Sequence, residues 1–220
     1  MGICDTISKK QQIRCTYYIK DFNETQIINF RGIKEINTEI EEKIKILNDG
    51  NKEKIVFKKK FSKSGFNVIE FIVEEKLYNM SFMFNLCSSL KRVEFISLET
   101  SQVINMLAMF QECNELEYLD LSDFNTSNVT NMGNMFYGCH KLKEIKGMNN
   151  FNTENVTNMY AIFANCKNLK HLYLYNFNTI NVINMEGIFE ECNQLEYLDL
   201  SNFNTSNFTK WDICLTNVIN

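Results

Sequence analysis

The chemistry-bearing residues to weigh first are eight cysteines and two histidines in a chain of 220 residues. Five of the cysteines, Cys87, Cys113, Cys139, Cys166 and Cys192, recur at steps of 26, 26, 27 and 26 residues. Thiols are metal ligands, redox couples or nucleophiles, and each role demands a particular spacing. A zinc site gathers its ligands as close Cys-x-x-Cys or Cys/His pairs. These cysteines come one per period, with no paired partner nearby. His140 and His171 stand at no nucleophile motif, and no glycine-rich phosphate loop accompanies them. The spacing therefore predicts buried free thiols acting as small apolar side chains, not a metal centre or a catalytic thiol. No enzyme activity, cofactor or metal is expected.

Each periodic cysteine ends a longer motif, Met-x-x-(Met/Ile)-Phe-x-x-Cys, which starts at Met80, Met106, Met132, Met159 and Met185. Five copies at a fixed step make a repeat array. Within a copy the apolar residues fall at 0, 3, 4 and 7, the spacing of one helix face, so the motif predicts a helix of about two turns. Asn79, Asn105, Asn131, Asn158 and Asn184 precede it as N-cap candidates; a ladder of buried asparagines is the competing account. After the cysteine comes Leu-x-x-Leu-x-Leu, as at Leu116, Leu119 and Leu121, which predicts a short strand with alternate residues facing out. Ser, Asn and Thr then supply turns, with Phe124, Thr126 and Val129 as the type copy. No single copy closes a core, so neighbouring copies must stack. The expected fold is an α+β solenoid with one short strand and one short helix per copy.

The organisation expected along the chain has four parts: a flexible terminus at 1–10, a β-rich capping domain at 11–76, five repeats at 77–210, and a degenerate repeat or cap at 211–220. In 11–76, β-branched and aromatic runs near 13–19, 25–29, 44–47, 54–57 and 66–73 predict about five strands. Asn48-Asp-Gly-Asn51 predicts a tight hairpin, and residues 36–44 a short helix.

Composition bounds the function. A formal net charge of −4 argues against nucleic acid as a partner. No apolar run is long enough to span a bilayer. The N-terminus lacks the hydrophobic stretch of a secretory signal, so a cytoplasmic location is expected. Met1-Gly2-Ile3-Cys4-Asp5-Thr6 fits the pattern for myristoylation at Gly2, with Cys4 placed for a second acyl chain. Two such chains would hold the protein at the inner face of a membrane. Abundant Asn, Ile and Lys read as nucleotide bias rather than as function, and the Asn-x-Ser/Thr triplets as repeat sequence.

The segment Leu116-Glu-Tyr-Leu-Asp-Leu-Ser-Asp-Phe-Asn-Thr-Ser-Asn-Val-Thr-Asn-Met132, with the Met-Phe-x-x-Cys that follows, resembles the BspA-like leucine-rich-repeat surface proteins. The resemblance covers about residues 80–210. It implies a right-handed leucine-rich-repeat coil and a role in binding or adhesion without catalysis. The expected function is a protein-interaction scaffold, with cell-surface adhesion as the alternative. The expected contact strip is the outward side of the repeat strands: Arg92, Glu94, Tyr118, Asp120, Glu144, Lys146, His171, Tyr173, Tyr197 and Asp199. Tyrosine offers rigid amphipathic area suited to such contacts. End-to-end self-association through the C-terminal coil is a further expected partner mode.

Overall fold

The structure is a computed structural model, and it describes residues 10–28 and 38–204. Its N-terminal part is built from β1 (Gln11–Ile19), β2 (Glu24–Gln26), α1 (Thr38–Lys43), β3 (Ile44–Asn48), β4 (Asn51–Lys54), β5 (Lys58–Lys60) and β6 (Gly65–Val73). The repeats contribute β7 (Leu90–Ile96), β8 (Tyr118–Asp120), β9 (Glu144–Lys146), β10 (His171–Tyr173) and β11 (Tyr197–Asp199). One five-stranded antiparallel sheet runs β4-β3-β6-β1-β7. Three two-stranded sheets complete the set: antiparallel β2-β5, and parallel β8-β9 and β10-β11.

The β3–β4 hairpin turns where Asp-Gly stands, with Asp49 at φ 48° and Gly50 at φ 81°. Two consecutive positive φ values are what a tight two-residue turn demands. The inner face of the large sheet, from Ile13, Cys15, Tyr17 and Ile19 to Phe71 and Val73, is buried. The first repeat strand, β7, belongs to this sheet: Arg14 faces Glu94, and Cys15 faces Val93. The β-rich part and the first repeat are thus one hydrogen-bonded unit.

The expected helix-bearing leucine-rich-repeat solenoid is corrected by the structure. Among the described residues the helical segments are α1 and a 3-10 turn at Met148–Asn150, and neither lies on a Met-x-x-Met-Phe-x-x-Cys motif. The architecture is a set of small sheets joined by turns. Every copy of the motif is a chain of turns instead of a helix. In the first copy the Met83, Asn85 and Cys87 amides bond locally, to the carbonyls of Met80, Phe82 and Phe84. The intervening Met80, Phe82, Phe84 and Leu86 amides donate to Asn105, Leu107, Met109 and Gln111 of the next copy. An α-helix spends its amides on its own carbonyls four residues back. Here half of them hold neighbouring copies together.

The backbone conformation that permits this sharing repeats too. Phe82, Ala108, Asn134, Ala161 and Gly187 have φ between 50° and 67°, and so have left-handed geometry two residues after each motif Met. Leu86, Glu112, Gly138, Asn165 and Glu191 repeat it four residues later. Left-handed residues interrupt a right-handed helix, and non-glycine side chains adopt them at a cost of order 1 kcal/mol each. Inter-copy hydrogen bonds and burial offset that cost.

Side chains then align in columns. The rings of Phe84, Phe110, Phe136, Phe163 and Phe189 stack at centroid distances of 5.6 to 5.9 Å, within 15° of parallel. Thr100, Thr126, Thr153 and Thr179 are buried, and each hydroxyl donates to the carbonyl of an Asn one copy on while accepting that residue's amide. The asparagines before each motif accept the amide two residues ahead, so they cap turns and not helices. Asn128, Asn155 and Asn181 donate to carbonyls of the preceding copy. The asparagines of the repeat are therefore structural residues, capping turns and joining copies.

Candidate functional site: the outward face of the repeat strands

The periodic cysteines are core residues. All five are buried, and Cys113, Cys139, Cys166 and Cys192 donate Sγ–H to the carbonyls of Phe84, Phe110, Phe136 and Phe163 at 3.1 Å. Burial pushes their thiols up, Cys192 to about 12 and Cys113 and Cys166 well above the ordinary range. A thiol held protonated is neither nucleophile nor metal ligand. Among the described residues no group of three His, Cys, Asp or Glu side chains is placed to hold a metal ion. His140 points inward to a carbonyl, with Nδ1 donating to Asn165 at 3.0 Å. No helix of the described residues is long and apolar enough to cross a membrane.

The ten outward residues lie where the strand alternation puts them. Leu119, Ile145 and Leu172 are buried, while their flanking partners face out. Tyr118 pairs with Glu144, and Asp120 with Lys146, across β8–β9. His171 pairs with Tyr197, and Tyr173 with Asp199, across β10–β11. Tyr118, Tyr173 and Tyr197 are 38%, 51% and 45% exposed, more than a tyrosine needs if it only covers core. The Tyr173 and Tyr197 rings lie 5.2 Å apart, forming an aromatic pair at the C-terminal end of the described face.

Charge on this face is largely paired within the chain. Arg92 meets Glu94 at 3.0 Å, and Asp120 meets Lys146 at 3.0 Å. Burial acts to raise the Asp120 carboxyl, but hydrogen bonds from Ser122 and Lys146 hold it below the usual range. Next to the strip, Lys91, Glu115, Glu117, Lys141 and Lys143 form a network joining the first three copies. Burial alone would raise Glu115, yet Lys141, Lys91 and Lys20 hold it down to about 2. Hydrogen bonds from Lys91 and Lys143 hold Glu117 down to about 2 as well.

The face is not one continuous sheet. The β7–β8 and β9–β10 boundaries fall between separate sheets, and a groove lies at each. The first, about 400 Å³, has Arg92, Glu94, Tyr118, Asp120 and Lys146 on its walls. The second, about 380 Å³, has Glu144, Lys146, His171 and Tyr173, together with Lys143, Met148 and Lys170. The structure thus brings Arg92, Glu94, Tyr118, Asp120 and Lys146 together, and separately Glu144, Lys146, His171 and Tyr173. Tyr197 and Asp199 line neither groove.

Several surface residues were missed in the sequence. Arg14 bridges Glu70 at 2.8 Å and Glu94 at 3.4 Å, so the outer face of β6 and β1 continues the strip. That extension carries Phe66 and Val68, 66% and 57% exposed, with Tyr18 packed edge-on against Phe66. The alternation in β6 signals an outward row, but only the pairing of β7 with β1 attaches it to the repeats. Tyr175, exposed and bonded by the Asn149 amide at 3.1 Å, lies one alternation beyond Tyr173 and had the same signal. Gly2, Cys4 and residues 211–220 lie outside the described residues.

The search for similar proteins gave one family. No curated protein and no solved structure matches the chain. The family described as Mycoplasma protein of unknown function, DUF285, matches residues 53–171 and again 141–218, and so takes in every copy of the repeat. The chain belongs to the DUF285 family.

Proposed function

We propose that the protein is a non-catalytic scaffold that binds a protein partner through the outward face of β7 to β11. One observation carries the reading: Tyr118, His171, Tyr173 and Tyr197 are exposed on strands whose alternate residues, Leu119, Leu172 and Leu198, are buried in or packed against the core. Tyrosines held in this way bind with little loss of side-chain freedom. The neighbouring charges are largely paired within the chain, so the rings supply the contact area common to the whole face. The test is capture of partners by the parent and by a Tyr118→Ala/His171→Ala/Tyr197→Ala variant of equal melting temperature. Loss of one or more specific partners is expected. Identical partner sets from both would refute the reading.

A second reading is surface adhesion, supported by the resemblance of residues 116–132 to BspA-like surface proteins. Protease added to intact cells separates the two: cleavage of the tagged chain favours adhesion, and protection favours an internal scaffold. A membrane tether through Gly2 and Cys4 accompanies the first reading. It requires that myristate label the parent and not Gly2→Ala.

A further inference from the structure

The groove between β9 and β10 sits where the period breaks. Cys139 to Cys166 is the one step of 27 residues, and the extra length falls in the third copy. There Gly147 takes φ 88°, and a Cβ on it would lie 2.5 Å from the Ser122 backbone. The chain tucks under the preceding copy and then makes the 3-10 turn Met148–Asn150. β8 pairs with β9 and β10 with β11, but β9 and β10 belong to separate sheets. The β7–β8 boundary lacks ladder pairing too, but only the β9–β10 boundary combines that with an extra residue in the copy.

Charge in the groove departs from the rest of the face as well. One column of equivalent positions reads Lys91, Glu117, Lys143, Lys170, Glu196. Opposite charges meet at three of its four steps: Lys91–Glu117 at 2.7 Å, Glu117–Lys143 at 3.0 Å and Lys170–Glu196 at 2.7 Å. In that column like charges are adjacent only at the groove, Lys143 and then Lys170, and the Glu144 carboxylate lines the same groove. Lys146 leans away to Asp120. Each lysine therefore pairs on its own side, and no ion pair among the described residues spans the groove. These lysines are 64%, 57% and 52% exposed, so solvent screens their present pairs and they exchange readily. Ile145 and Met148 form an apolar floor, and Tyr173 a wall.

We propose that this groove is the specificity subsite of the binding face and takes an extended acidic segment of a protein partner. A carboxylate of that segment sits between Lys143 and Lys170 and takes the place of their present partners, Glu117 and Glu196. A neighbouring apolar side chain lies over Met148 against Tyr173. The inference rests on the binding-face reading above and adds the chemistry of the partner.

The test selects a displayed random-peptide library on the folded full-length chain. The enriched peptides are then titrated by fluorescence anisotropy. Enriched sequences should place Asp or Glu beside an apolar residue. Lys143→Ala/Lys170→Ala should weaken them at least about tenfold, and raised salt should weaken parent binding. Both lysines are surface residues, and an unchanged melting temperature confirms that the variant is folded. No enrichment, enrichment without acidic residues, or undiminished affinity in the lysine variant overturns the proposal. Affinity kept in that variant but lost in Tyr118→Ala/Tyr197→Ala overturns the groove while sparing the binding face. Affinity kept in both sinks the two together.

Discussion

Phe136 is the central ring of the phenylalanine column, fully buried between Phe110 at 5.9 Å and Phe163 at 5.6 Å. Phe136→Ala removes the ring from both stacks and leaves a void that neighbours cannot fill, because inter-copy hydrogen bonds hold their backbones. The Phe136 amide donates to Ile162, and the Phe136 carbonyl accepts the thiol of Cys166. Buried Phe→Ala changes cost about 3–5 kcal/mol, and the rigid surroundings argue for the upper half. Against a total stability of roughly 5–15 kcal/mol this is a large fraction. With a urea slope of about 3 kcal/mol/M, the upper end of the usual range as a chain of this size warrants, the midpoint should fall by on the order of 1–2 M. Phe66→Ala is the control, since that ring is 66% exposed and its loss should stay within about 0.5 kcal/mol. Urea unfolding followed by circular dichroism gives both numbers. Amide exchange should show the loss spreading into the copies on either side. A Phe136→Ala midpoint equal to the parent's, or no lower than that of Phe66→Ala, would refute the stacked-column account.

Three other outcomes follow from the same geometry. Thr153→Val keeps the shape but strands the carbonyl and amide of Asn178, both bound by the Thr153 hydroxyl; it should cost about 1–3 kcal/mol in urea unfolding, and no loss would mean the clamp is unimportant. Gly147→Ala should lower the melting temperature markedly, since a Cβ would meet Ser122 backbone at 2.5 Å in a left-handed conformation; a neutral result would mean that the turn relaxes freely. Glu115, held at about 2 against an ordinary 4.5, contributes stability that is present above pH 4.5 and lost as the pH falls towards 2. Glu115→Gln should therefore destabilise at neutral pH by on the order of 1–2 kcal/mol, discounted for the exposure of Lys20 and Lys141, and flatten the acid limb of the stability curve between those pH values. A parent and variant with parallel acid limbs would remove Glu115 from the account.

The period was readable because it is written in side chains that must match from copy to copy. Phe must lie over Phe, Cys against a carbonyl of the preceding copy, and Thr against Asn. The helix was misread for a definite physical reason. Apolar residues at 0, 3, 4 and 7 face one way on a helix, and they face one way on this chain of turns too. What separates the two is the sign of φ at Phe82, Ala108, Asn134, Ala161 and Gly187. Only the last two of the four residue types, Asn and Gly, favour positive φ, so the composition of that column carries little warning. The deciding interactions are amides donated to carbonyls 25 residues away, which no local pattern encodes. Asparagine was legible as an acceptor for orphan amides, but an Asx turn and a helix cap ask for the same side chain.

For the candidate site, strand alternation alone placed all ten outward residues on one side, because period two survives any choice of fold for the rest of the copy. It said nothing about which charges are already neutralised. Arg92 and Glu94 look like two contact residues in sequence, yet they hold one another at 3.0 Å, and Arg14 from β1 holds Glu94 too. Lys143 and Lys170 look unremarkable, standing at the edge of the alternation beside their strands. They become distinctive only when equivalent positions are read across copies and the one like-charged step coincides with the one 27-residue step. Two independent irregularities, one of backbone length and one of charge, fall in the same groove. That coincidence makes the groove between β9 and β10, with Tyr173 on its wall, the place on the tyrosine-marked face to look for what selects the partner.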